Sequence, residues 1–522
     1  MRPGHRILLL AVSLAAPVVG ACAASGTDST SVASAHDGGA TDTGTTVDSG
    51  TVRSPVESGT PASSGNESGP GTDAATGDAP GDAADAGITA QAADTPIVAC
   101  TDIVSDVYVT PSGLPAMDMN ARGAIIRCAR DSSLAVSDVT VAFASAGVGG
   151  VTPTTGVDIY RIEYRTFRDD GVPGASTARV YLPHTPRSLP LPIIAVAHPT
   201  EGLAPSCVPS ASPTSLEDEA LPWAASGFAV IASDYAGLGN EGVQGYLDNH
   251  DQAHSMLDSA RALRAMLAPG VFDDRVLLIG YSQGGGAVLA SQGLAKSYGA
   301  GGNVVGVVVF AAEYFARMNS LQFVTTLQSP TNLTITSGVT VPVVAATRDY
   351  AFSYNVLGAD AGGATFPEGG ASGIEGALMS LCEVPFGGYI QGVAPHLGDL
   401  FDEGFRSSLL ACIQGTGGCS GLGSQYYQWL QNDLIAPDPA GAPILYVQGL
   451  SDTIMPPAQE AACNIGQLLN AGVSVRVCTD QAAQHTDIVA RNVAFALQWS
   501  NRVLYGGAMP TCSSAGMPAC QP

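Results

Sequence analysis

Arg275-Val276-Leu277-Leu278-Ile279-Gly280-Tyr281-Ser282-Gln283-Gly284-Gly285-Gly286 is the stretch on which the fold turns. A short apolar run leads into Gly280-Tyr281-Ser282-Gln283-Gly284, and an Ala-rich segment follows it. A buried strand over 275–279, a sharp corner, and a helix over 284–298 are the expected local structures. The G-x-S-x-G pattern suits a serine held on a strained corner, where side chains at the flanking positions would run into neighbouring backbone. The string alone is weak in a chain with 63 glycines. Its strand-and-helix context carries the reading, and Ser282 becomes the candidate nucleophile. The bland alternative is a Gly-rich turn with a bystander serine.

Working outward, the same alternation repeats. Strands are expected over 191–197, 228–232, 304–310, 443–448 and 473–477. Helices are expected over 216–226, 250–267, 459–470 and 486–505. Continuously apolar strands alternating with helices indicate a mostly parallel central sheet covered on both faces, an α/β architecture. A strand pair over 157–168 and 176–182, with Asp170-Gly171 as turn, precedes it. The stretch of about 312–440 breaks the alternation and reads as an inserted cap or lid of partly helical character.

A serine hydroxyl needs a base, and the base an orienting acid. Of eight histidines only His396 and His485 follow Ser282. His396 falls in the insertion. His485 follows the last expected strand, at the start of the last helix, and is the candidate base. The strand 443–448 leads through Gly449-Leu450-Ser451 to Asp452, the candidate acid. Asp480 and Asp487 are rivals, read by default as surface residues. The backbone N–H of Gln283, next after the nucleophile, is a candidate oxyanion donor. A second donor is expected after the 191–197 strand, near Thr200.

Taken together these pieces resemble the secretory lipase (lipase A-like) family of α/β-hydrolases. The resemblance rests on Ala195-Val196-Ala197-His198-Pro199-Thr200 with the Cys207 loop, on Ser233-Asp234-Tyr235-Ala236-Gly237, and on Leu257-Asp258-Ser259-Ala260-Arg261-Ala262. The elbow, the Asp452 loop and the His485 segment complete it. It spans most of residues 110–505 and implies the α/β-hydrolase fold with a lid where the insertion falls. It also implies ester hydrolysis through Ser282, Asp452 and His485, and points to Asp234 for the second oxyanion donor. The alternative for Asp234 is a loop aspartate bonding nearby amides. The substrate expected is a small-molecule ester or a lipid, with no metal or organic cofactor. The insertion shows no strongly amphipathic helix, which leaves lipase and carboxylesterase both open. A non-catalytic, surface-anchored binding protein on the same scaffold is the reading from a different class. It does not explain why nucleophile, acid and base all stand in order at the right element ends.

The N-terminus reads as an address. Arg2 and Arg6 precede a short apolar stretch, the pattern of an export signal over 1–22. Val19-Gly20-Ala21-Cys22 resembles a bacterial lipoprotein box with Cys22 lipidated, which would bring the chain to a membrane. An ordinary cleavable signal is the alternative. Residues 23–96 hold eleven acidic residues against Arg53 and no Phe, Trp or Tyr, so a disordered spacer is expected. The hydrolase domain is expected over 97–522. A formal net charge of −25 argues against a nucleic-acid partner. Eleven cysteines less Cys22 leave ten, an even set that suggests disulfides in an exported chain. Close pairs such as Cys463 with Cys478 and Cys512 with Cys520 are natural guesses, although spacing does not fix connectivity.

Overall fold

Leu191–Ala197 carries no polar side chain, and its surroundings give the reason. Leu191, Ile193, Ala195 and Ala197 point into one apolar cluster, Ile194 and Val196 into another on the opposite face. A strand with both faces covered must be apolar throughout, because side chains alternate between faces. The computed structural model describes residues 93–115, 118–212, 214–240, 242–314, 340–394 and 397–521, all within the unit Ala83–Pro522. The export signal, Cys22, nearly all of the 23–96 spacer, and His396 lie outside the described residues.

The strands are β1 (Ile125–Leu134), β2 (Val157–Phe167), β3 (Pro173–Pro183), β4 (Leu191–Ala197), β5 (Ala229–Ala236), β6 (Phe272–Tyr281), β7 (Asn303–Phe310), β8 (Ile444–Gly449) and β9 (Val475–Asp480). The helices that matter here are α1 (Val136–Ser145), α2 (Leu221–Ala224), α3 (Asn249–Met266), α4 (Gln283–Tyr298), α5 (Thr340–Phe352), α6 (Ala371–Leu378), α7 (Glu383–Val393), α8 (Glu403–Gln414), α9 (Gly421–Asn432), α10 (Ala462–Asn470) and α11 (Ile488–Tyr505).

The strands form one sheet in the order β1-β2-β3-β5-β4-β6-β7-β8-β9. From β5 onward every pairing is parallel; β1, β2, β3 and β5 pair antiparallel. Residues of α3, α4 and α10 pack on one face, and residues of α1, α2 and α11 on the other. The chain runs from β4 outward to β5 and back across to β6. That reversal puts the switch point of the sheet between β4 and β6, and open α/β sheets bind ligands at the carboxyl ends of strands at such a point.

Two expectations need correction. The expected helix 216–226 shrinks to Leu221–Ala224. Leu216 takes a positive φ of 71° and Pro222 sits in the first turn, so helix begins only there and Gly227, at φ 89°, follows its end. The guessed cysteine pairs are also wrong. The bonds are Cys463–Cys520 and Cys478–Cys512, alongside Cys100–Cys128, Cys207–Cys382 and Cys412–Cys419. The C-terminal tail passes β9, where Thr479 N–H donates to Ser513 O, and ends near the start of α10, where Gln521 N–H donates to Ala458 O. Its nearer cysteine therefore meets β9 and its farther one α10.

Strand β1 and helix α1 were not expected at all. β1 is an edge strand with only Cys128 and Ala129 buried, broken by bulges near Arg127 and Asp131, so its side chains do not alternate. Between β7 and β8 the described residues form α5 to α9. Phe352, Phe401, Phe405, Tyr426 and Trp429 make an apolar centre there, joined by Val243, Tyr246 and Leu247 from the loop after β5. Among the described residues no helix is long and apolar enough to cross a membrane.

Candidate active site

The corner between β6 and α4 is built by steric necessity. Ser282 lies at φ 54°, ψ −118°, a backbone conformation costly for any residue but glycine. It is held there by its own backbone: Ser282 N–H donates to Phe310 O at 3.0 Å, and Glu313 N–H donates to Ser282 O at 2.9 Å. The end of β7 thus fixes the nucleophile's main chain. A Cβ on Gly280 would lie 2.1 Å from Gly284 O, and one on Gly284 2.0 Å from Ala197 O. Neither position admits a side chain, which answers the doubt about a chance match.

His485 meets Ser282 from the far side of the sheet. Its Nε2 lies 2.9 Å from Ser282 Oγ and its Nδ1 2.8 Å from Asp452 Oδ2. Asp452 is locked in turn: Oδ1 accepts from the N–H groups of Ile454 and Met455 at 2.9 and 2.7 Å, and Oδ2 from Gln448 Nε2 at 3.3 Å. Ser282, His485 and Asp452 are 5%, 6% and 3% exposed, so bulk water scarcely competes for these bonds. The rivals are spent elsewhere. Asp480 is ion-paired to Arg491, whose hydrogen bond is the main cause holding its carboxyl below the usual range. Asp487 accepts from Gln484 N–H.

Reasoning from sequence missed Tyr281. Its hydroxyl donates to His485 O at 2.8 Å, and the two rings lie 5.0 Å apart. The residue before the nucleophile thereby holds the loop that carries the base. Only its aromatic identity inside the G-x-S-x-G string could have hinted at this.

The oxyanion candidates divide. Gln283 opens α4, and the first N–H groups of a helix have no partner within it. Thr200 lies in the loop after β4, its Oγ1 2.8 Å from Tyr246 OH, which donates on to Glu313 Oε2 at 3.3 Å. Asp234 is fully buried. Its carboxylate accepts from Thr177 Oγ1 at 2.6 Å and from Ser210 N–H at 2.8 Å, while its carbonyl lies 3.2 Å from His198 Nε2. Its side chain ties β3 and the Pro209–Ala211 turn to β5, as expected of an aspartate bonding local groups.

Carboxyl groups crowd this corner. Burial pushes the Glu313 carboxyl up to about 8, with repulsion from Glu460 and Glu383 adding to it. Burial first, then Glu383, raises Glu201 to about 7. Glu383 is raised by burial and eased by His485. Among the described residues no group of three or more His, Cys, Asp or Glu is arranged to hold a metal ion.

Fold and site together define an α/β-hydrolase with a Ser-His-Asp constellation at the carboxyl ends of its strands. Residues 216–349 match the secretory lipase family, which bears out the resemblance read from the sequence. The fold is similar to the rice cell wall degrading esterase LipA from Xanthomonas oryzae, with a TM-score of 0.54 at 20% identity over 74% of this chain and 97% of that one. It is likewise similar to Candida antarctica lipase A, with a TM-score of 0.54 at 17% identity over 79% and 90% of the two chains. At such identities the likeness speaks for the fold. Comparison with curated proteins gives no match. The family match is what supports a carboxylic ester hydrolase.

Proposed function

We propose that this chain is an exported serine hydrolase that cleaves carboxylic esters through an acyl-enzyme on Ser282. One observation carries the reading: a single imidazole, His485, is within hydrogen-bond reach of Ser282 Oγ through one nitrogen and of Asp452 through the other. In the proposed reaction His485 Nε2 takes the Oγ proton as Ser282 attacks the ester carbonyl. Asp452 holds the proton on Nδ1 and stabilises the imidazolium. The oxyanion is received by the N–H of Gln283 and by a donor of the Thr200 loop. His485 returns its proton to the departing alcohol. Water, activated by the same imidazole, then releases the carboxylic acid and restores Ser282.

Five disulfides fit a chain that folds in an oxidising compartment. The anchor is part of the proposal: Cys22 carries a lipid, and residues 23–96 space the hydrolase from the membrane. In cell fractionation Cys22→Ser should move the protein from the membrane to the soluble fraction. Unchanged fractionation leaves an ordinary cleavable signal.

The chemistry is tested by fluorophosphonate labelling of the purified protein, with Ser282→Ala and His485→Ala alongside. Labelling should be seen in the wild type and lost in both variants. p-Nitrophenyl esters of short and long acyl chain separate carboxylesterase from lipase. A folded wild type that neither labels nor hydrolyses either ester ends the enzyme reading.

A further inference from the structure

An oxyanion hole works only if its two donors stand at a fixed separation, yet here they come from different elements. One is on α4, at Gln283. The other belongs to the loop that leaves β4 through Thr200. Something must set the distance between them. We propose that Gln244, in the loop after β5, is a positioning residue that clasps the two together. The inference rests on the serine-hydrolase reading above.

The clasp is a directed chain of amide bonds. Gln244 Nε2 donates to Gly202 O at 2.9 Å, and Gln283 Nε2 donates to Gln244 Oε1 at 3.2 Å. Because Gly202 O can only accept, the Gln244 amide has one allowed orientation. Its oxygen must then face Gln283, which fixes that amide as well. Both glutamines are fully buried, so neither bond is contested by solvent.

Gln244 has a rigid base. The next residue, Gly245, is held on α3: its N–H donates to Asp251 Oδ2 at 2.8 Å, and its carbonyl accepts from Gln252 Nε2 at 3.2 Å. Arg168 Nη2 donates to Val243 O at 2.9 Å on the other side. Two residues on, Tyr246 engages the Thr200 hydroxyl. One short segment therefore grips the loop after β4 at two points and reaches the residue after the nucleophile at a third. The opposite side of that loop is closed too. Glu383 N–H donates to Glu201 O at 2.9 Å, and Cys207 is bonded to Cys382. With that side fixed, removing Gln244 releases the loop toward α4 only. No bond runs from Gln244 to Ser282, His485 or Asp452, so its effect passes through the donors it places.

The test is steady-state kinetics on a short-chain p-nitrophenyl ester, with affinity for an alkylboronic acid measured in parallel. The boronate forms a tetrahedral adduct whose oxygen occupies the oxyanion hole. Gln244→Ala and the similarly shaped Gln244→Met should each lower kcat by about 10–100-fold, with KM within about 3-fold, as expected when a donor is misplaced. Boronate affinity should fall by a similar factor, while fluorophosphonate still labels Ser282. Should Gln244→Ala melt out, Gln283→Met breaks the same chain from its other end. An active wild type whose folded Gln244 variants keep kcat and boronate affinity overturns the clasp, as does a loss confined to KM. An inactive wild type instead overturns the serine-hydrolase reading, so the two failures are distinguishable.

Discussion

Asp452 Oδ2 lies 2.8 Å from His485 Nδ1, and Asp452 Oδ1 is held by two backbone N–H groups of its own loop. The carboxylate is thus oriented by groups other than the imidazole. An asparagine at 452 keeps an acceptor for the N–H groups of Ile454 and Met455. It then turns an NH2 group toward His485 and favours the wrong tautomer, with the proton on Nε2. Asp452→Asn should therefore fold normally and lose about 10³–10⁴-fold in kcat, with KM little changed. A loss under about 10-fold on a p-nitrophenyl ester removes Asp452 as the orienting acid.

The elbow makes a second, sharper demand. A methyl at 284 would stand 2.0 Å from Ala197 O and 2.8 Å from His198 O. Those atoms are backbone at the end of a fully buried strand and cannot swing aside. Gly284→Ala should cost about 3 kcal/mol or more, at the upper end of overpacking penalties. Urea unfolding measures it, and a change below about 1 kcal/mol means the β4–α4 contact is loose enough to absorb a methyl group.

The parts legible in the sequence were those dictated by short-range rules. Val276 to Ile279 had to be a buried strand, Gly280 and Gly284 had to flank a corner, and Asp452 and His485 had to follow strands. The structure brings Ser282, Asp452 and His485 together. The parts not legible depend on contacts far apart in sequence. Tyr281 bonds a carbonyl 204 positions away, and Gln244 reaches Gln283 across 39. No periodicity marks such residues. The cysteine pairs failed for the same reason: the tail's route past β9 decides them, and spacing carries no trace of that route. β1 was hidden because an edge strand half in water does not alternate.

Cys207–Cys382 closes a loop of 175 residues and ties the loop after β4 to the start of α7. Cross-links over loops this long restrict the unfolded chain strongly, for about 3–5 kcal/mol. Cys207→Ser with Cys382→Ser should lower urea-unfolding stability by that amount. It should also lower kcat, because Glu201 and Gly202 lose their wall. Unaltered kcat in a folded double variant means the loop after β4 is held without the disulfide, by Gln244, Tyr246 and the Glu383 N–H.

Glu313 gives the stability of this protein a definite pH dependence. Its carboxyl is near 4.5 in an unfolded chain and pushed up to about 8 in the fold, chiefly by burial. Between those values the folded state holds a proton that the unfolded state has released. The stability tied to that proton is fully present below about pH 4.5. It is lost as pH rises toward 8, at up to roughly 1.4 kcal/mol per pH unit for one such group. Glu201, Glu460 and Asp258, each raised to about 7 with burial as the largest cause, act in the same direction. Melting temperature should therefore be higher near pH 5 than at pH 8. Glutamine at 313 cannot ionise but can still accept from the Tyr246 hydroxyl. Glu313→Gln should flatten the profile, gaining most over wild type at pH 8 and least at pH 5. A variant whose melting curve parallels the wild type across that range means Glu313 is already ionised in the folded protein.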